Sequence, residues 1–275
     1  MPTSVLMCPP TYFHVKDVKN PYMQHGVPVD QETARLQWLA LRNGLEEAGI
    51  AVHVIEPVED LEDMVFAANQ VFVGHHREVG KFIVPSEMRY ASRQREVPHY
   101  VNWFLRHKYQ VIALPLYGEC LEGHGDLLWH PDHSRIWAGY GFRTTAPALD
   151  KFCLAMEKLE FSVTRLQLVD GRFYHLDTCL CPLNRDAVLI YPGAFSPDSL
   201  AAIRAGFPRV HELALEDALR FMINGIAVNG RYIVPHLSDA LSRILQLESL
   251  APQLVDTSEF EKSGGSAFCM KCFLD

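Results

Sequence analysis

The chain has 275 residues, of which 48% are hydrophobic and 21% are charged, values that are ordinary for a globular protein. It contains no run of about 18 apolar residues that would predict a transmembrane helix, and its first residues lack the features of a signal peptide. The net charge of -8 argues against nucleic acid as the main partner, and an odd number of cysteines, seven, favours a reduced cytoplasmic protein over a disulfide scaffold.

In chain order, the first predicted element is a buried strand over 4–8, which two prolines end. A helix is predicted from Asp30, its N-terminal cap, to Ala48, and a strand over 50–55 follows. The later segments repeat one pattern of strand, turn, strand, helix and strand. The predicted strands are 64–72, 81–84, 110–116, 120–129, 135–138, 163–168, 172–180, 187–191, 221–226 and 231–234, with helices at 96–107, 147–159, 198–205 and 238–247.

The spacing of these units is about 50 residues, which is typical of a repeat architecture. Five units fit in the chain, and the last strand leads into Cys269. We found no linker or low-complexity stretch between the units. The sequence therefore predicts an α/β protein in which residues 1–275 form one closed domain.

Polar residues interrupt the apolar runs that open most of the units. A polar group on a buried strand costs free energy unless it is paired or used. Because the units are arranged with pseudo-symmetry, we expect these side chains to meet in one central pocket, which Cys269 joins from the closing strand. The polar residues are Asn69, Glu122, Asp126, His175, Asp177 and Asn224.

The segment before Cys269 contains the pair Gly264-Gly265, which allows a tight turn and a close approach to a ligand. A cysteine after such a turn is either an inert buried thiol or a nucleophile. Histidine near neutral pH can donate a proton to a leaving amine and then take one from water. Carboxylates bind a guanidinium group through paired hydrogen bonds. These residue types together favour nucleophilic attack on a guanidinium carbon.

The sequence resembles the guanidine-modifying enzyme superfamily along nearly its whole length, most closely the branch of arginine dihydrolases and dimethylarginine dimethylaminohydrolases. Several motifs carry the resemblance, and together they are specific. They are 7–10 (MCPP), 20–23 (NPYM), 63–69 (DMVFAAN), 122–126 (EGHGD), 139–144 (GYGFRT), 174–178 (YHLDT) and 264–269 (GGSAFC). The resemblance implies a five-bladed α/β propeller (pentein) of pseudo-fivefold ββαβ units, in agreement with the five units above.

The resemblance also implies roles. Cys269 is expected to be the nucleophile, and His175 the general acid and then the general base. Glu122 is expected to hold the guanidinium and orient His175, while Asp177 binds guanidinium nitrogens. Asp126, in the acidic glycine motif, is counted among the substrate-binding residues.

Two arginines are expected to clamp the α-carboxylate of the substrate, for which the planar fork of arginine is suited. These are Arg89 and Arg143, although Arg89 could equally be a solvated surface charge. Asn20 and Asn224 are expected to add polar contacts, and Asn20 could instead only start the turn before Pro21.

Asn69 is informative because the deiminases of the superfamily have aspartate at this position, whereas its dihydrolases have asparagine. An aspartate holds a cationic guanidinium. An amide both donates and accepts hydrogen bonds, so it can also hold a neutral ureido group. This suits an enzyme that keeps citrulline bound and attacks it again, although Asn69 could simply fill the same space.

We therefore predict a cytoplasmic hydrolase of arginine or an N-substituted arginine that uses no cofactor and no metal and binds neither nucleic acid nor membrane. Arginine dihydrolase chemistry, giving ornithine, ammonia and carbon dioxide, is favoured. Dimethylarginine hydrolysis to citrulline and dimethylamine is second, followed by deimination and amidino transfer. A non-catalytic arginine sensor is the alternative outside enzymes, and it would have little reason to keep Glu122, His175 and Cys269 together. Assembly into a homo-oligomer stays open.

Overall fold

The computed structural model describes residues 2–24 and 26–275. Within this part of the chain, the strands form five sheets of three strands each. The strands are β1 (Ser4–Met7), β2 (Ala51–Val54), β3 (Val71–His76), β4 (Gly80–Pro85), β5 (Gln110–Val111), β6 (Leu127–Trp129), β7 (Arg135–Tyr140), β8 (Ser162–Gln167), β9 (Leu180–Asn184), β10 (Ala187–Ile190), β11 (Arg209–Glu212), β12 (Ile226–Val228), β13 (Arg231–Val234), β14 (Ala251–Leu254) and β15 (Cys272–Phe273). The α-helices are α1 (Gln31–Glu47), α2 (Ala91–Gln94), α3 (Val97–Arg106), α4 (Gly123–Asp126), α5 (Ala146–Glu157), α6 (Pro197–Gly206), α7 (Leu215–Leu219), α8 (Asp239–Leu247) and α9 (Ser258–Glu261).

Four of the sheets are each built from three strands that are consecutive in the chain, and they repeat one topology. The first strand of a unit pairs antiparallel with the second, and after a helical crossover the third strand pairs parallel with the second, as in β6, β7 and β8. A parallel pair requires such a crossover, which here is a helix such as α5. The predicted α/β fold of five ββαβ units is confirmed.

The remaining sheet joins the two ends of the chain. Its middle strand, β1, pairs parallel with β2 and antiparallel with β15, where Leu6 lies opposite Cys272. The C-terminal strand thus completes the sheet that the N-terminus begins. This pairing also fixes the segment that contains Cys269, whose carbonyl accepts a hydrogen bond from the Ala68 amide at 3.1 Å.

The middle strands are almost entirely apolar and buried, as β10 shows from Ala187 to Ile190. Buried strands read as continuous hydrophobic runs, so these are the segments that sequence periodicity locates best. The helix predicted over 30–48 is also present, and the Asp30 side chain caps it by accepting a hydrogen bond from the Thr33 amide at 2.7 Å. No helix among the described residues is long and apolar enough to cross a membrane.

Four predicted opening strands were wrong over much of their length. Residues 64–70 form turns before β3, residues 123–126 form α4, residues 172–178 form turns and a 3₁₀ helix (Leu176–Thr178) before β9, and residues 221–225 form a turn before β12. Turn residues that are buried and flanked by apolar side chains have the same hydrophobic pattern as a strand. The polar side chains therefore lie just before the first strand of each unit, where the backbone turns near the centre of the molecule.

Candidate active site

The structure brings five of the ten predicted site residues to the wall of one small cavity of about 20 Å³: Asn20, Asn69, Arg143, His175 and Cys269. Glu122 and Asp177 are not lining residues, but each contacts one, His175 and Cys269 respectively. Each of the central polar residues lies just before the first strand of a unit, so the pseudo-symmetry places them together. The residues that line the cavity are Lys19, Asn20, Met23, Asp63, Phe66, Asn69, Arg93, Arg143, Tyr174, His175, Ser263, Gly265 and Cys269.

Cys269 lies against a carboxylate. Its Sγ is 3.2 Å from Oδ2 of Asp177. Asn224 links the two segments, because its Nδ2 donates to the Asp177 carbonyl at 2.9 Å while its Oδ1 accepts from the Cys269 amide at 3.4 Å. Burial and the neighbouring carboxylate raise the pKa of the Cys269 thiol well above its usual range. Burial also raises the pKa of Asp177, to about 7.

A second cluster is a buried hydrogen-bonded chain of His175, Glu122 and Arg143. Oε2 of Glu122 is 2.7 Å from Nε2 of His175 and 2.9 Å from Nη1 of Arg143. Burial alone would raise the pKa of Glu122, but Arg143 and His175 outweigh it and hold the pKa well below the usual range. Glu122 is therefore a carboxylate at every physiological pH, and it fixes the imidazole ring of His175.

Arg143 is also fixed from its other sides. Its guanidinium lies between the rings of Tyr90 and Tyr174, 4.8 Å and 4.7 Å from their centroids. Its Nη2 donates to the carbonyl of Lys19 at 3.1 Å. The predicted partner Arg89 is placed differently, since its side chain is exposed and does not line the cavity. Only the Arg89 backbone takes part, donating from its amide to Oε1 of Glu122 at 2.9 Å.

Arg93, which the sequence analysis missed, occupies the cavity wall. Its Nη1 donates to Oδ1 of Asn69 at 3.0 Å, and its Nε and Nη2 bond Glu96 at 3.3 Å and 3.1 Å. Since a guanidinium has only donors, the amide of Asn69 must present its oxygen to Arg93. Nδ2 of Asn69 is buried and has no hydrogen-bond partner among the described residues. The spacing of Arg93 and Glu96, three residues apart near the start of a helix, was the only sequence signal for this pair.

Asp126 lies beside the cavity rather than on its wall. Its two carboxylate oxygens accept hydrogen bonds from the amides of Thr144 and Leu176, at 3.2 Å and 3.1 Å. Burial raises the pKa of Asp126 to about 6. The structure therefore places Asp126 where it joins the segments carrying Arg143 and His175, and does not bring it to the wall of the cavity.

The N-terminal loop covers the cavity. Asn20 donates from Nδ2 to the Ser263 carbonyl at 2.9 Å, and its Oδ1 accepts from the amides of Tyr22 and Met23. Gly264 has a φ of +78°, and a Cβ there would lie 2.5 Å from Oδ1 of Asn20. The predicted need for glycine before Cys269 thus has a local cause at Gly264. Asn20 starts a turn and also lines the cavity.

Lys19 anchors the same loop. Its Nζ donates to Glu62 at 2.8 Å and to Asp63 at 2.9 Å, and all three side chains are buried. Its carbonyl accepts the hydrogen bonds of Arg143 and of the Tyr90 hydroxyl. Within the described residues, no group of three or more histidine, cysteine or acidic side chains is placed to hold a metal ion.

Comparison with known proteins agrees with this geometry. A family model described as N,N dimethylarginine dimethylhydrolase, eukaryotic, matches residues 10–273. The chain belongs to this family. The guanidine-modifying branch that the motifs resembled is thereby confirmed.

Members of the family and its neighbours align along nearly the whole chain. The bifunctional arginine dihydrolase/ornithine cyclodeaminase ArgZ of Synechocystis sp. is 35% identical over 269 residues, which are 97% of this chain but 37% of ArgZ. The N(G),N(G)-dimethylarginine dimethylaminohydrolase of Mycobacterium tuberculosis is 34% identical over 263 residues, 96% of this chain and 83% of that protein. This chain thus spans little more than a third of the ArgZ sequence.

Solved structures match equally well. The N-terminal domain of ArgZ bound to its substrate superposes with a TM-score of 0.92 at 33% identity, covering 98% of this chain and 97% of that one. A dimethylarginine dimethylaminohydrolase adduct matches with a TM-score of 0.79 at 21% identity, which shows the same fold.

Proposed function

We propose that this chain hydrolyses the guanidino group of arginine, with Cys269 as nucleophile and His175 as acid and base, and that the reaction proceeds twice to give ornithine. One observation carries the proposal. One cavity is lined by a thiol, an imidazole fixed by a carboxylate, and an amide whose NH₂ group has no partner among the described residues, in a chain of the dimethylarginine dimethylaminohydrolase family. We also propose that residues 1–275 act as one domain, because the first sheet contains both ends of the chain.

The geometry supports the first step as follows. A guanidinium bound beside Glu122 and Asp177 brings a positive charge next to the Cys269 thiol, which lowers the pKa of that thiol. The thiol loses its proton to water and the thiolate attacks the guanidinium carbon. The C–N bond then breaks as protonated His175 gives its proton to the leaving nitrogen, which departs as ammonia. The result is a covalent thiouronium on Cys269. Water that His175 activates then cleaves it and leaves citrulline.

Asn69 supports the second round. Arg93 accepts no hydrogen bonds, so Asn69 turns its oxygen to Arg93 and its NH₂ group to the cavity. An NH₂ donor matches the carbonyl oxygen of a neutral ureido group better than the N–H groups of a guanidinium. Citrulline would therefore be held in place for a second attack, which releases the second ammonia. Hydrolysis of the resulting thiocarbamate gives carbon dioxide and ornithine.

For the amino-acid end of the substrate, we propose Arg143 and Arg93, because both line the cavity. The guanidinium of Arg143 is fixed by two aromatic rings, which reduces the entropy lost when it binds a carboxylate. Arg89 would have to move from the surface to take part.

Dimethylarginine hydrolysis is the second candidate. The matching family model and the Mycobacterium tuberculosis relative carry the dimethylarginine hydrolase description. Attack by Cys269 would expel dimethylamine instead of ammonia, and the same thiouronium would form. The two functions therefore differ in the leaving group and in the fate of citrulline.

Product analysis separates them. Purified protein is incubated separately with arginine, citrulline and asymmetric dimethylarginine, and the products are measured by mass spectrometry. Ornithine with two ammonia per arginine, and ornithine from citrulline, support the dihydrolase. Citrulline as the end product, from dimethylarginine only, would replace it with the second candidate. A Cys269→Ser variant is the control and should form no product from any substrate.

A further inference from the structure

A buried lysine with no role in the reaction above lies two residues after the proposed nucleophile. Lys271 is fully buried, and no group of the described residues forms a hydrogen bond with its Nζ. Nζ lies 2.9 Å from the centroid of the Phe268 ring and 4.0 Å from that of Phe273. Such cation–π contacts repay only part of the cost of burying an ammonium group. A methionine would fill the same space without that cost, so packing alone does not explain a lysine here.

The position of Lys271 relates it to the nucleophile. Phe268 precedes Cys269 directly, and both Phe268 and Phe273 also line a second cavity of about 690 Å³. Cys269 itself faces the smaller substrate cavity. The amine of Lys271 therefore packs on the ring of the residue that directly precedes the nucleophile.

Several titratable groups surround this amine. On its own segment they are Cys269 and Cys272, and from the packed elements they are Asp177, Cys181 and His124. Burial lowers the pKa of Lys271 to about 7, while the nearby thiols and Asp177 oppose that change. Lys271 thus carries a positive charge on the acidic side of neutrality, and a thiolate nearby would favour that charge.

The other cations near Cys269 each already bond a carboxylate of the chain. Arg143 and His175 both bond Glu122, and Arg93 bonds Glu96. Cys269 faces the carboxylate of Asp177, whose charge opposes ionisation of the thiol. Lys271 is the one buried cation near Cys269 that no carboxylate of the described residues pairs with directly.

We propose that Lys271 is a positioning residue that stabilises the thiolate of Cys269 through space. The inference rests on the proposed function, in which Cys269 is the nucleophile. It adds a source of activation that belongs to the chain itself and is present before substrate binds.

The test measures thiolate formation without turnover. The rate of alkylation of Cys269 by iodoacetamide is followed from pH 6 to pH 10 by quantitative peptide mass spectrometry in the wild type, Lys271→Met and Lys271→Arg. The half-buried thiols of Cys120 and Cys153 serve as internal references. Lys81→Met is the matched control, because Lys81 also lies over an aromatic ring, that of Tyr109, but at the surface.

We expect Lys271→Met to slow the alkylation of Cys269 about tenfold at pH 7.5 and to shift its pH profile upward, with no change at Cys120 or Cys153. Lys271→Arg should recover part of the rate. The melting temperature of Lys271→Met should stay equal or rise, since an unpaired buried cation is removed. If Lys271 had only a structural role, Lys271→Met would lower the melting temperature and leave the pH profile of Cys269 alkylation unchanged.

An unchanged Cys269 profile in folded Lys271→Met would overturn the proposal. If that variant does not fold, Lys271→Gln provides the same comparison with a shorter neutral side chain. The outcome is separate from the proposed function. Turnover by Cys269→Ser would refute the proposal that Cys269 is the nucleophile, but it would not change the alkylation result. An unchanged pH profile in Lys271→Met would refute the role of Lys271 and leave the proposed role of Cys269 unaffected.

Discussion

Gly125 sets the space between Asn69 and His175, and its replacement by alanine is the sharpest steric test of the site. A Cβ at position 125 would lie 2.3 Å from Nδ2 of Asn69 and 3.2 Å from the Cγ and Cδ2 atoms of His175. Ordinary contacts begin near 3.4 Å, so the amide of Asn69 would have to move by about 1 Å. The backbone of Gly125 does not have a positive φ, so alanine itself is tolerated there.

The amide cannot retreat easily. Arg93 holds its oxygen at 3.0 Å, and Glu96 together with the carbonyl of Phe66 holds Arg93. Gly125→Ala must therefore break the bond between Asn69 and Arg93 or displace the ring of His175. A displacement of this size costs about 10²-fold in rate, and the overpacking costs about 1–3 kcal/mol of stability.

The assay is kcat/KM with arginine, combined with thermal unfolding. Gly171→Ala is the control, because its new Cβ would meet the Phe142 ring at an ordinary 3.4 Å. The control should behave like the wild type. A Gly125→Ala enzyme with wild-type kcat/KM and an unchanged melting temperature would refute the steric reasoning.

The remaining predictions concern charge. Asn69→Asp should pair with Arg93 and lose the donor that faces the cavity, so citrulline should accumulate from arginine; continued ornithine formation in the product assay would contradict this. Glu122→Gln should lower kcat/KM about 10²–10³-fold and destabilise the fold by about 3–5 kcal/mol, because buried Arg143 loses its counter-charge; denaturant unfolding and steady-state kinetics measure both. The pKa of Asp177 is raised to about 7 in the folded chain, so its contribution to stability falls as pH rises from 4 to 7, where only the unfolded carboxyl ionises. Asp177→Asn should therefore gain melting temperature relative to the wild type over that range, and a constant difference would argue against a raised pKa.

Much of the fold was readable from the sequence because the strands of each unit are short, apolar and regularly spaced. The β10 strand, which is fully buried, was predicted within one residue of its observed end. The outer strand β11, Arg209–Glu212, was missed, because it is polar and partly exposed and so lacks an apolar pattern. Asn69 and Asp177 were recognised as central, although Asn69 lies in a turn and Asp177 in a 3₁₀ helix rather than in strands.

The choice between two arginines shows where the sequence stops being informative. Arg89 lies two residues before the four-residue helix α2, and Arg93 lies within it. This helix is too short to define a periodic face. Only the fold reveals that Arg93 points inward to Asn69 while Arg89 is exposed. Likewise, the enclosure of Arg143 by Tyr90 and Tyr174 joins three distant segments and leaves no local signal.

The central claim is that Cys269 forms a covalent bond to the guanidino carbon, and trapping that intermediate tests it most directly. The wild type and a His175→Ala variant are mixed with arginine, quenched in acid and analysed by peptide mass spectrometry. We expect the peptide containing Cys269 to gain the mass of arginine less ammonia. Any adduct that forms in His175→Ala should accumulate, because hydrolysis of the adduct needs His175 as the base. Turnover by the wild type with no adduct on Cys269, or with the adduct on another cysteine, would contradict the mechanism.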